Sequence, residues 1–160
     1  MIEREKKYYT VDEARQAIKQ YCAIQERSHK QVLDKLGTYG LKADIAGEIL
    51  IELIDQGFLN ESRFADMFAQ GKSRINGWGG RKIEYALRML GVSVDYIKQA
   101  LKNLDTTETD AKLEKLAAKK YKELQDERPN NRKRKTITYL LGRGFSYEKI
   151  LAVLNKIETD

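Results

Sequence analysis

The sequence has little of several things. It contains one cysteine, one histidine, one proline and one tryptophan in 160 residues. With Cys22 alone, no intramolecular disulfide can form, which suits a reducing, cytoplasmic setting. One histidine and one cysteine fall short of the ligand sets that hold zinc, so no metal is expected. There is no long apolar run: Ile49-Leu50-Ile51 is cut by Glu52 before Leu53-Ile54. A membrane span needs roughly 20 apolar residues, so none is expected. The opening Met-Ile-Glu-Arg-Glu-Lys-Lys shows no apolar core of a signal peptide. Nucleotide-loop motifs also fail. Gly71-Lys72-Ser73 has Asp66 where a phosphate-binding loop requires its first glycine, and Gly142-Arg143-Gly144 lacks the third glycine of a dinucleotide motif. No pair of acids stands out by spacing. The chain therefore reads as a binding protein without catalytic residues or cofactors.

Charge and periodicity are plentiful instead. Charged residues make up 34% of the chain and hydrophobic ones 41%, a mixture that favours amphipathic helices. Thirty basic against 24 acidic residues leave a net charge of +6, which suits a polyanionic partner or a solvated lysine-rich surface.

Internal repetition is the strongest feature. Gly40, Gly91 and Gly144 are each preceded at four residues by leucine: Leu36, Leu87 and Leu140. Each is followed by an apolar residue (Leu41, Val92, Phe145), then at the fourth position by an acid (Asp44, Asp95, Glu148) and at the tenth by leucine (Leu50, Leu101, Leu154). Such a glycine ends a helix by adopting positive φ. Ser93 and Ser146 then offer N-caps, whereas Lys42 leaves the first unit's equivalent uncapped. Upstream, Thr10-Val-Asp-Glu13 and Ser28-His-Lys-Gln31 read as capping boxes, and Asn60 and the stretch from Asp105 to Asp110 as further helix starts. Pro129 with Asn130 and Asn131 breaks the chain before the middle helix of the third unit. The expectation is an all-α chain of nine helices in three tandem three-helix repeats, over 1–57, 58–104 and 105–160, forming an elongated, curved body.

Three segments carry a family likeness. They are Gly57-Phe-Leu-Asn-Glu-Ser-Arg63-Phe64-Ala65-Asp-Met-Phe68, then Trp78-Gly79-Gly80-Arg81-Lys82-Ile83 with Leu87 and Gly91-Val92, then Tyr139-Leu-Leu-Gly-Arg143-Gly144-Phe145-Ser146. In this order, and within the repeat plan, they resemble the RecX family over roughly residues 10–157. One departure is Gly80, where many relatives have proline; it is expected to loosen the start of that helix. The resemblance implies tandem three-helix repeats and binding to RecA recombinase filaments on single-stranded DNA. It also implies a role in DNA repair and recombination through inhibition of RecA's recombinase, ATPase and coprotease activities.

Candidate contacts with filament or nucleic acid are basic. Lys30, Arg81 and Arg134 occupy one column ten residues before the aligned glycines, and helical geometry turns them away from the apolar face. Lys82 and Lys135 adjoin that column. The run Arg132-Lys133-Arg134-Lys135, with Arg143, is the densest, and Arg74 marks a second face. Partner binding and plain solubility both account for such bases. Trp78 is read as a packing anchor, with base stacking as its alternative. His29 is expected to face solvent, and Cys22 to be a small core residue. The partner is expected to be the RecA filament, single- or double-stranded DNA being the alternative; a monomer is expected.

Overall fold

In the computed structural model, which describes residues 8–160, the chain forms nine α-helices and, among the described residues, no strand. Residues 1–7, read above for a signal peptide, lie outside the described residues. The helices are α1 (Val11–Ile24), α2 (His29–Thr38) and α3 (Ala43–Asp55), then α4 (Glu61–Arg74), α5 (Gly80–Met89) and α6 (Val94–Lys102), then α7 (Thr106–Glu123), α8 (Pro129–Gly142) and α9 (Tyr147–Thr159).

Helix starts follow from side-chain chemistry. The first backbone N–H groups of a helix lack internal partners, so a short polar side chain just upstream stabilises them. Thr10 accepts from Glu13 N–H, Asn60 from Arg63 N–H, Ser93 from Tyr96 N–H and Ser146 from Lys149 N–H. Ser28 and Gln31 form the full reciprocal box. Lys42, as its side chain dictates, makes no such bond. The aligned glycines end α2, α5 and α8 with φ of 85°, 73° and 96°.

Each group of three helices encloses its own core. The leucine four residues before the glycine is fully buried in all three: Leu36, Leu87 and Leu140. One turn earlier, Val32, Ile83 and Thr136 are equally buried, and the Thr136 hydroxyl is satisfied by donating to Arg132 O at 2.8 Å. Ala14, Ile18, Ile49 and Leu53 complete the first core, together with Leu59. Phe64, Ala65, Ala69 and Ile97 complete the second, and Leu113, Ala117, Ile150 and Leu154 the third. The chain exposes 10812 Å², against about 8,200 Å² for a compact monomer of its mass. Three small cores in a row leave that extra surface exposed.

The two joints between groups differ in kind. Between the first and second, side chains do the work: Arg63 pairs with Glu26 and donates to Gly57 O at 3.2 Å, and Glu61 approaches His29. Between the second and third, backbone meets backbone. α4 packs on α7, and Gly79 N–H donates to Arg143 O at 2.7 Å while Arg81 N–H donates to Gly144 O at 3.1 Å. α5 has no side-chain cap of its own, so the carbonyls at the end of α8 cap it instead. The negative end of one helix dipole thereby faces the positive end of another. Gly80 therefore does not leave this start loose; its first turn is held from the neighbouring group. The approach is so close that a Cβ on Gly79 would lie 2.5 Å from the Gly144 carbonyl.

Candidate functional site

The three bases of the repeated column sit near the N-terminal ends of α2, α5 and α8, and Lys30, Arg81 and Arg134 are all exposed. Their surroundings differ. Lys30 is paired with Asp34 one turn on, at 2.7 Å. Arg134 reaches only the side-chain oxygen of Asn131, at 3.5 Å. The Arg81 guanidinium has no acidic partner among the described residues; its backbone N–H is the group that meets Gly144.

The remaining candidates are largely engaged within the chain. The Lys82 ammonium lies 4.6 Å from the centre of the Trp78 ring. Arg74 pairs with Glu108 at 3.1 Å across the second joint. Arg143 crosses the same joint to donate to Asn76 O. In the dense basic run, Lys133 lies 3.8 Å from Glu158 and Lys135 pairs with Glu127. Arg132 folds back on Tyr121. Of that run, Arg134 alone projects without a carboxylate or an aromatic ring beside it, among the described residues. A sequence run of one sign is thus divided in space by acids from the preceding loop and from the last helix.

Several neighbours escaped sequence reasoning. Lys72 places its ammonium 4.8 Å from the Trp78 ring, which therefore carries two lysines. The ring itself packs against the second core, as an anchor would. His29 is half-buried rather than solvent-facing, its Nδ1 3.6 Å from the largely buried Glu61 carboxylate. Leu33 and Leu141, next in sequence to the buried Val32 and Leu140, are 38% and 42% exposed. Each follows a turn whose inward direction is already filled by Val32 or Leu140.

Two groups are shifted by burial. The Cys22 thiol is pushed above its ordinary pKa by desolvation, and the Tyr39 hydroxyl likewise. Both lie in the first core and neither faces a cleft with a second reactive group. Among the described residues, no set of three or more His, Cys, Asp or Glu side chains is placed to hold a metal. No helix among them is long and apolar enough to cross a membrane.

The chain is similar to known proteins over most of its length. A family model described as "RecX, second three-helix domain" matches residues 60–101, and one described as "RecX, third three-helix domain" matches residues 108–154. A protein named "Regulatory protein RecX" from Clostridium perfringens (strain 13 / Type A) is 30% identical over 133 residues, covering 82% of this chain and 62% of its own length. This chain thus spans about three-fifths of that relative. One of the same name from Prosthecochloris aestuarii is 29% identical over 140 residues, covering 88% of this chain and 90% of its own length. In fold, the chain is similar to the crystal structure of RecX from Lactobacillus salivarius, with a TM-score of 0.82 at 24% identity, covering 94% of this chain and 97% of that one.

Proposed function

Because the chain belongs to the RecX family, we propose that it binds RecA–single-stranded DNA filaments and lowers RecA's recombinase, ATPase and coprotease activities. In this reading it is a monomeric binding protein of the cytoplasm, with no reaction of its own; any ATPase effect belongs to the filament. Its units are 1–57, 58–104 and 105–160. The observation that carries the reading is the repeated exposed base at the head of the middle helix of each group: Lys30, Arg81 and Arg134. Bases there work against the helix dipole, so their recurrence suits a partner that supplies negative charge at regular intervals. A filament does so, and several weak contacts then reinforce one another through effective concentration.

Direct DNA binding through the helix–turn–helix-like units is the competing reading. Reading bases in a groove favours free Asn and Gln beside Arg and Lys. At the head of α2, however, Gln31 is held in the capping box by Ser28 N–H at 3.0 Å. The deciding experiment measures RecA ATPase on single-stranded DNA with increasing amounts of this chain. A fall in turnover at substoichiometric chain supports the filament reading. Unchanged turnover at saturating chain overturns it.

A further inference from the structure

We propose that the joint between the second and third helix groups is a cradle for the phosphates of a single-stranded nucleic acid, centred on Trp78. The proposal deepens the filament reading by naming a site that meets the strand itself, but it holds for free strand without recombinase.

Five cations converge on this joint from three helices, α4, α5 and α7, and the turn after α8. Lys72, at the end of α4, and Lys82, at the start of α5, bring their ammoniums to 4.8 and 4.6 Å from the Trp78 ring centre. From the third group, Arg143 donates to Asn76 O, and its Nη2 lies 3.1 Å from where a side chain on Gly77 would begin. Lys112 of α7 lies 3.7 Å from the same point. Tyr139 extends the joint: the Lys120 ammonium is 4.9 Å and the Arg143 guanidinium 5.9 Å from its ring centre.

Acids are missing from this gathering. Among the described residues, no carboxylate pairs with Lys72, Lys82, Lys112 or Arg143, and Lys120 alone has one, Glu123 at 3.7 Å. Most other candidate bases are paired, as Lys30, Arg74, Lys133 and Lys135 show. Like charges drawn together without counter-charge repel one another, so the arrangement favours an anion between them. Arg143 adds a second sign: its Nε is buried without an acceptor, although buried donors are normally satisfied.

The chemistry selects the ligand. Cations interleaved with aromatic rings are how single strands are held, phosphates on the bases and nucleobases against the rings. An acidic peptide would be matched better by free guanidinium forks, which grip carboxylates bidentately. Here four of the five cations are lysines, and the one arginine already uses Nη2 on Asn76. All five are half-buried rather than projecting, which suits a flexible strand that can bend onto them better than a stiff duplex.

Trp78 is the chain's only tryptophan, so its emission reports on the site directly. The full chain is titrated with oligodeoxythymidylate, following Trp78 emission and the anisotropy of the labelled oligonucleotide. The expected result is salt-sensitive binding with quenching of Trp78. Lys72→Gln/Lys82→Gln/Lys112→Gln then weakens binding at least about tenfold and makes the salt dependence shallower by about 2 in log–log slope, since each phosphate contact in a single strand contributes about 0.7. Lys98→Gln/Lys102→Gln/Lys122→Gln, the same charge change elsewhere, leaves affinity within about twofold if contacts rather than net charge govern it. Circular dichroism and melting of both variants confirm that they are folded. No binding by the parent at low salt, equal loss in both variants, or equal affinity for duplex or polyglutamate of matched charge would each overturn the proposal. Because recombinase is absent from the assay, such a failure leaves the filament reading intact, and a null result in the ATPase assay leaves this one intact.

Discussion

The Arg132 guanidinium lies 3.5 Å from the centre of the Tyr121 ring and donates from Nε to the Tyr121 carbonyl at 2.7 Å. Arg27 and Tyr21 repeat this relationship in the first group, at 3.7 Å from the ring and 3.0 Å to the carbonyl. In the middle group the partners are exchanged. Lys72, at the position of Tyr21 relative to the aligned glycine, supplies the cation, and Trp78, at the position of Arg27, supplies the ring. Trp78 N–H donates to Lys72 O at 3.0 Å, closing the same corner. The corner between first and second helices is thus fastened by one cation–aromatic device in all three groups.

The first prediction follows from that device. Arg132→Ala removes a cation–π contact and a hydrogen bond to a carbonyl, together about 1–2 kcal/mol. Arg132→Lys keeps the charge but loses the planar fork, and is expected to recover less than half of the loss. Chemical denaturation of both variants checks this. A variant as stable as the parent would show that Arg132 is free for a partner.

The joint between the second and third groups yields a second prediction. Gly79→Ala places a Cβ 2.5 Å from the Gly144 carbonyl, so the two backbones must part. Gly144→Ala adds the strain of a φ of 96°, about 1–2 kcal/mol for a left-handed residue, to a clash with Lys82. Both variants are expected to lower the melting midpoint and to loosen the third group from the second, seen as faster amide exchange in the first turn of α5. Gly91→Ala meets nothing within 4 Å and bears only the φ strain, so it should cost less than Gly144→Ala.

How far the fold could be read in advance depends on what sets each feature. Leu87, Ile97 and Phe64 are placed by helical spacing, and Ser28 and Ser93 by capping chemistry; both are local, and both are visible in one strand of text. The Arg143 carbonyl that receives Gly79 N–H at the start of α5 is 64 residues away in sequence, so no local pattern could reveal it. The same distance hid the site. Lys133 and Lys135 looked free because Glu158 and Glu127 lie outside the basic run. Lys112 and Arg143 meet at Gly77, which lies in a turn far from both in sequence, so no local pattern joins them. Gly144 was legible as a turn residue, but its contact with Gly79 was not.

A core prediction tests the repeat columns. Leu87 is fully buried, so Leu87→Ala should cost roughly 2–5 kcal/mol, whereas Leu33→Ala, at a position 38% exposed, should stay within about 1 kcal/mol. Urea denaturation of the two variants makes the comparison. Equal losses would contradict the assignment of inward and outward faces.

Alkaline pH should unfold the first group before the others. Burial raises the pKa of both Cys22 and Tyr39 in the folded chain. The folded state therefore holds these protons more tightly than the unfolded one. The associated stability is fully present below the ordinary thiol and phenol values and is lost as pH rises through the folded values. Tyr39→Phe combined with Cys22→Ala should flatten the fall of the melting midpoint between neutral and strongly alkaline pH. A fall as steep as the parent's would place its origin elsewhere.

The last prediction concerns the exposed column. Lys30→Glu/Arg81→Glu/Arg134→Glu reverses charge at the heads of α2, α5 and α8. Acids are favoured near helix N-termini, so the folded chain should be no less stable than the parent, and each helix start gains a few tenths of a kcal/mol. Lys30 gives up its pair with Asp34, a surface contact worth about 0.5 kcal/mol at most. Filament binding should move the opposite way. Inhibition of RecA ATPase should require many times more of the variant, and the parent's own inhibition should weaken as salt rises, because exposed charges are screened over about 8–10 Å. Binding of free oligodeoxythymidylate through the Trp78 joint should change less than filament binding does, since that joint is built from Lys72, Lys82, Lys112 and Arg143. If the folded variant inhibits RecA as the parent does at moderate salt, the column is a solvated surface and the filament must meet the chain elsewhere.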